Sequence, residues 1–310
     1  NKSCLIGFLM CSAFSLVVQA ATDGAHITKT ISQIERKKGI KRTIQYRPDG
    51  NDFVCVNGKN RYTRALYGGI TDFRIETSDR PVFAAYKPKD SKHICFRLQC
   101  GNQSIALDSL KFCEARYRAG RRTYRLTDPL LGKGELNISV LAFPDAEGGI
   151  WRFTMKDMPE GALLHCYISE IRAKNLSRNG DMGADRADSF DAPQLPKEQK
   201  HYKLSLDGTT AYIVVEDQEL RLPALVEGTS LYDKSEKWRS EIESSLQIST
   251  PDPYFNPLGG ALAAAADGIW DGKIWLHGAI GWRSQLNGWR AAYIGDFIGW
   301  HDRARTHFDS

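Results

Sequence analysis

The chain has 310 residues, of which 42% are hydrophobic and 25% charged, a globular composition that excludes wholesale disorder. Forty-two Lys and Arg against 37 Asp and Glu give a net charge of +5, too small and too scattered for a nucleic-acid binder. At roughly 150 residues per domain the length predicts two domains, and 27 Gly with 12 Pro predict many turns, not a helical bundle.

Lys2 precedes an apolar run from Cys4 to Val18, which exits through Val18-Gln19-Ala20. A basic start, a short apolar core and a small-residue exit predict a secretory signal peptide over 1–20, cut after Ala20, and a periplasmic or secreted protein. A membrane anchor is the competing reading, but the run is at the short end for a span and no later segment qualifies. No membrane partner is therefore expected after cleavage. Cys11 follows Met10, which argues against a lipoprotein. The sequence lacks an initiator Met, so the first residue or two of the gene product are expected to be missing. Removing 1–20 takes away Lys2 and leaves a charge of +4.

Residues 24–230 read as one β-rich domain. Asn57-Gly58 between 53–56 and 61–67 predicts a hairpin, because the favoured turn needs positive φ at both central residues. Further strands are predicted at 81–86 and 93–98. Ala119-Gly120 turns 115–118 into 121–126, and the glycines after Glu147 turn 136–143 into 150–155. A strand at 163–168 follows, and Asp207-Gly208 between 203–206 and 211–215 predicts another hairpin. Short strands at near-regular spacing predict an antiparallel β-sandwich. Cys55, Cys95, Cys100, Cys113 and Cys166 lie in strand-like contexts and are expected as buried thiols with at most one bridge. No zinc pattern accompanies them.

Two polar features stand out in this domain. Residues 175–199 carry Asp181, Asp185, Asp188 and Asp191 among Gly, Ser and Pro, and predict a long loop. The spacing is not that of an EF-hand, so no metal is expected. Arg116, Arg118, Arg121, Arg122 and Arg125 alternate with Tyr117 and Tyr124 across one hairpin. They could meet an anionic sugar bidentately, although a solvated outer sheet face is the default for such a row.

From residue 231 the pattern turns helical. Asp233 as cap, with Trp238, Ile242 and Leu246 as a stripe, predicts a linker helix over 231–250 that Pro251 and Pro253 end. Residues 258–266 predict a small-residue helix suited to close packing. After a break at Asp267-Gly268 and Asp271-Gly272, residues 289–308 predict a single helix of about five turns.

Five of the seven Trp fall in this end of the chain: Trp270, Trp275, Trp282, Trp289 and Trp300. Asp267, Asp271, His277, Arg283, Asn287, Arg290, Asp296, His301, Asp302 and Arg303 are interleaved with them. Indoles offer flat apolar faces to the C–H side of a sugar, and a carboxylate pair supplies acid and base. Any one Trp alone would be read as core. The density of both residue types points to a site. On one continuous helix Trp289, Asp296 and Trp300 share a face, and a carboxylate between two indoles would be raised toward a usable general acid. Asp302 lies about 240° around from Asp296, while Asp267 and Asp271 could face Asp296 across a cleft.

The stretch Tyr254-Phe-Asn-Pro-Leu-Gly-Gly-Ala-Leu262, with Asp267-Gly-Ile-Trp-Asp271, Trp275-Leu-His-Gly-Ala-Ile-Gly-Trp-Arg283 and Asn287-Gly-Trp-Arg-Ala-Ala-Tyr-Ile-Gly-Asp296, resembles an uncharacterised family of exported six-hairpin-like proteins from bacterial polysaccharide-utilisation systems. Its order of sandwich, linker helix and Gly/Trp-rich helices looks like that of glycosidases with an (α/α)6 barrel. Among these, the rhamnosidase-type enzymes carry an Arg…Gly-Trp-x-Gly-Asp signature. Arg283, Gly288-Trp289 and Gly295-Asp296 are similar to it, with five residues instead of one between Trp289 and Gly295. The resemblance implies the first helices of an incomplete barrel over 251–310. A full barrel needs twelve helices, roughly 300 residues. The chain is thus expected to be a truncated or split gene product, with a catalytic carboxylate possible beyond Ser310.

The activity expected is a glycoside hydrolase of the inverting kind acting on a complex polysaccharide or oligosaccharide. Asp296 would be acid or base, with Asp271 or Asp302 its partner. Trp282 and Trp289 would stack on the sugar, and Arg283, Arg290 and His301 would bind hydroxyls or a uronate. No cofactor is required. A non-catalytic carbohydrate-binding sandwich is the first alternative. A polysaccharide lyase, with Tyr293 or His301 as base, is the second.

Overall fold

The computed structural model of the chain describes residues 45–87, 90–170, 201–278 and 283–310. The expected signal segment at 1–20, the Asp-rich segment at 175–199 and Trp282 lie outside the described residues. The chain first forms β1 (Arg47–Asp49), β2 (Asp52–Val56), β3 (Arg64–Tyr67), β4 (Arg74–Thr77), β5 (Phe83–Tyr86), β6 (Lys92–Cys100) and β7 (Gln103–Ala106). There follow β8 (Phe112–Arg118), β9 (Arg121–Thr127), β10 (Glu135–Ala142), β11 (Gly148–Lys156), β12 (Leu163–Glu170), β13 (Tyr202–Ser205), β14 (Thr210–Glu216) and β15 (Glu219–Arg221). Among the described residues four α-helices follow: α1 (Leu225–Ser244), α2 (Leu258–Gly268), α3 (Gly288–Ile298) and α4 (His301–Phe308).

The protein is mainly β with a helical C-terminal part. An eight-stranded sheet runs β1-β2-β8-β9-β10-β11-β14-β15, and a second runs β13-β12-β6-β5-β4-β3 with β7 beside β6. All the registered pairs are antiparallel. Alternating side chains from the two sheets interlock in the core, as in a sandwich. Phe83 and Phe96 of the second sheet meet Trp151 and Phe153 of the first edge-to-face, with centroids 5.7 Å apart for Phe83–Trp151 and 5.5 Å for Phe96–Phe153, the geometry aromatic quadrupoles favour.

The hairpin at Ala119-Gly120 forms as expected. Both residues have positive φ, 35° and 88°, which the favoured two-residue turn demands. The turn after Glu147 also forms, joining β10 to β11, whereas the hairpins expected at Asn57-Gly58 and Asp207-Gly208 do not. Asn57-Gly58 leads from β2 in the eight-stranded sheet to β3 in the other. Asn57 alone takes positive φ there. Its amide oxygen accepts the Cys113 N–H at 2.9 Å, and a Cβ on Gly58 would lie 2.5 Å from the Asp79 carboxylate. Asp207-Gly208 likewise joins β13 to β14 across the sandwich. Leu206 enters the core at the crossing and donates its N–H to Ala162 O at 2.9 Å.

The arginine row divides by parity. Arg122 shares the inward face of β9 with Tyr124 and Leu126. It is fully buried and donates to Ser78 O at 2.9 Å, with Asp79 at 3.7 Å. The outward arginines are ion-paired. Arg116 meets Asp49 and Glu114, Arg118 meets Glu243, Arg121 meets Glu236, and Arg125 meets Glu114 and Glu135. The five cysteines are free; all but Cys100 are buried, and burial pushes the Cys95 and Cys113 thiols up to about 12.

Helix α1 begins at Leu225, not near Asp233, with Ala224 as its cap. Its first turn is solvent-facing, with Leu225 and Val226 exposed, so no apolar period marks it. Its buried face is Gly228, Tyr232, Ser235 and Arg239, not the expected Trp238, Ile242 and Leu246, which are half-buried. Tyr232 packs with Leu141, Ile150 and Tyr212 on the outer face of the eight-stranded sheet. Arg239 is neutralised there by Glu236 and Glu243, each at 2.8 Å. Glu243 is pulled below the usual carboxylate range: burial pushes it up, but hydrogen bonds from Arg118 and Arg239 outweigh burial. Among the described residues no helix is long and apolar enough to cross a membrane.

Candidate functional site

The helical end is organised around Trp275. Its ring is fully buried with Leu286, Ala291 and Ala304, and its indole N–H donates to Ala266 O at 3.1 Å. Its backbone N–H donates to His307 Nδ1 at 3.0 Å, and His307 Nε2 lies 2.9 Å from Leu286 O. That pattern assigns the imidazole proton to Nε2. Gly295 lets the elements close up, since a Cβ there would lie 2.6 Å from the Ala304 methyl and 3.0 Å from Trp275.

The expected five-turn helix is two helices. Gly299 sits in the left-handed region at φ 85°. Its N–H bonds to Asp296 O, and the Trp300 N–H bonds to Gly295 O at 2.7 Å. This pair of bonds is a Schellman motif, which ends α3. Trp300 is consequently not on the helix that carries Trp289 and Asp296. It packs toward the Trp275 core instead.

Trp289, Tyr293 and Phe297, four apart on α3, form an exposed aromatic row at 59%, 70% and 77% exposure. Trp289 and Tyr293 meet edge-to-face at 5.8 Å, and the Arg290 guanidinium lies 5.0 Å from the Trp289 ring. Arg290 also reaches His277, Nη1 to Nε2 at 3.4 Å. Beside the row, Asp296 Oδ1 lies 2.9 Å from His301 Nδ1. A carboxylate on Nδ1 orients an imidazole and leaves Nε2 available for proton transfer. Both side chains are solvent-exposed, so the enclosure between indoles that would desolvate Asp296 is absent.

The remaining candidates disperse. Asp271 is exposed and accepts the N–H groups of Lys273 and Ile274 at 2.9 and 2.7 Å, which makes it a turn-forming side chain. Asp302 is exposed and pairs with Arg305 at 3.3 Å. Arg283 reaches back to the sandwich, bonding Thr71 O at 3.2 Å and Thr71 Oγ1 at 3.0 Å and pairing with Asp72. Among the described residues no hydrogen bond joins Asp271 or Asp302 to Asp296.

Asp267 faces Arg303, at 2.7 Å. Burial raises its carboxyl above the ordinary value, against the lowering pull of Arg303. The guanidinium of Arg303 stands 5.6 Å from the Trp270 ring and 4.4 Å from the Trp300 ring. Two indoles are thereby committed to this half-buried cation and its buried acid. The aromatic platform that Tyr293 and Phe297 form with Trp289 is not among the sequence expectations. Their four-residue spacing from Trp289 was the available signal.

The fold and these contacts define a two-sheet antiparallel sandwich with a helical part that presents aromatic and acid–imidazole groups to solvent. Residues 88–216 match a family described as a domain of unknown function (DUF4450). The match starts just before β6 and ends with β14, inside the sandwich. No curated protein matches the chain.

Proposed function

We propose that the chain is part of a carbohydrate-active enzyme of the glycoside hydrolase type, whose helical part engages a polysaccharide or oligosaccharide outside the cytoplasm. The observation that carries this reading is the exposed row Trp289, Tyr293 and Phe297 running beside Asp296 and His301. Solvent-facing rings of this kind suit the apolar face of a pyranose. A carboxylate next to them suits protonation of a glycosidic oxygen or activation of water. Asp296 is the acid or base in this reading. His301 and Arg290 bind hydroxyls, and Trp289 stacks on the ring. The resemblance to six-hairpin glycosidases supports the same class.

The test is release of reducing sugar from plant and host glycans by the full-length protein. Asp296→Asn is expected to lower turnover by about 10²-fold or more, with the circular dichroism spectrum unchanged. Trp289→Ala is expected to raise KM more than it lowers kcat. Unaltered turnover in Asp296→Asn would overturn the assignment. A second reading, saccharide binding without catalysis, draws on the dispersal of Asp271 and Asp302 away from Asp296. Binding with no product under any condition would favour it, whereas products absorbing as unsaturated uronides would point to a lyase.

A further inference from the structure

Helix α1 packs on the outer face of the eight-stranded sheet over β10, β11 and β14. Beside it lies an open groove of 340 Å³. Its floor is two adjacent rungs of the ladder. Thr123, Ser139 and Arg152 form one, and Arg125, Asn137 and Thr154 form the other. The walls are polar and rich in arginine, and the cations are not equivalent. Arg116, Arg121 and Arg125 each hold carboxylates. Arg152 forms no hydrogen bond or ion pair among the described residues, and its Nε is buried without an acceptor. Its guanidinium stacks on the Tyr232 ring at 3.9 Å, and Tyr232 is itself held by a 2.6 Å bond to Ser139 Oγ. The fork is thus fixed in place by stacking, with its hydrogen-bonding capacity unspent.

We propose that this groove binds a saccharide bearing a monoanionic oxo group, a uronate carboxylate or a sulfate ester, with Arg152 as the anion-binding residue. A planar guanidinium donates two parallel N–H bonds to such a group. One unpaired cation balances one negative charge, and a phosphate dianion would leave an excess. Thr123, Asn137 and Thr154 supply hydroxyl and amide partners for sugar hydroxyls, on strands spaced about 4.8 Å apart and rungs about 6.8 Å apart. The groove is separate from the aromatic row on α3, so its ligand is independent of the hydrolase reading.

Isothermal titration of the full chain with trigalacturonate, its methyl ester and a sulfated carrageenan tetrasaccharide tests the proposal. At least one acidic ligand is expected to bind ten-fold or more tighter than the neutral ester, and the one that binds identifies the anionic group. Arg152→Gln should abolish that preference, while Asp296→Asn leaves it intact. Thr154→Glu provides a second variant at an exposed position. It places a carboxylate two residues from Arg152 on the same strand face, the arrangement that Glu114 and Arg116 already make at 2.8 Å. It should occupy the fork from within and block binding without disturbing the sheet. Equal affinity for acidic and neutral ligands, or full binding by both variants, would overturn the proposal. So would free sulfate or acetate binding as tightly as the oligosaccharides.

Discussion

Asp267 and Asp296 show how placement decides the chemistry of the same side chain. Asp267 is enclosed under Arg303 and two indoles, and its carboxyl is raised by burial. A raised carboxyl holds its proton more tightly in the folded state than in the unfolded one. The stability it contributes is therefore complete below the ordinary carboxylate value and is lost as pH rises through the folded value. Asp267→Asn removes that ionisation. Urea unfolding of the two proteins between about pH 4 and pH 7 should show the wild type losing ground to Asp267→Asn as pH rises. A gain by the wild type over that window would mean that Arg303, not desolvation, dominates. Asp296 has no such enclosure. It is positioned by His301 in solvent, so the acid or base role proposed for it requires a ligand to exclude water.

At the scale of elements, the turn at Gly299 sets the geometry of the helical end. Replacing it with Ala forces a Cβ into the left-handed region, a cost of about 1–2 kcal/mol. Gly299→Ala should lower the free energy of unfolding by about that amount, and an unchanged urea midpoint would refute the Schellman assignment. The Gly was visible in the sequence, but the apolar and aromatic residues on both sides of it read as one continuous helix. The strands themselves were legible because their alternation is regular. Their partners were not. Asn57-Gly58 and Asp207-Gly208 have hairpin composition, yet tertiary contacts through Asn57 and Leu206 carry the chain across the sandwich. Helix α1 hid its start and its buried face for a related reason. Gly228, Ser235 and Arg239 do not form an apolar stripe, and Arg239 is tolerated inside only because Glu236 and Glu243 arrive with it. The density of Trp and acids in the helical end was plain in the sequence. Which of them would be solvent-facing depended on Trp275 taking the core position, which no spacing rule specifies.

For the whole molecule, the relation between sandwich and helical end rests on a few long-range anchors. Arg283 ties the segment before α3 to Thr71 and Asp72. Gly268 at the end of α2 sits against the Tyr67 ring, where a Cβ would lie 2.6 Å away. Arg283→Ala removes one anchor without touching either core. Hydrogen exchange should then quicken in 284–310 while the sheet amides keep their protection. Equal acceleration in both regions would show that the two parts unfold as one unit.

The pairing of β6 with β12, and of β2 with β8, places partners far apart along the chain. During synthesis, Lys92–Cys100 must wait for Leu163–Glu170 to leave the ribosome before its central neighbour exists. Closing such large loops before any contact rewards them makes assembly slow, in the millisecond-to-second range typical of non-local β topologies. A nascent chain stopped short of Leu163 would carry unmatched strand edges and no completed second sheet, a form suited to capture by chaperones and prone to association with its own copies.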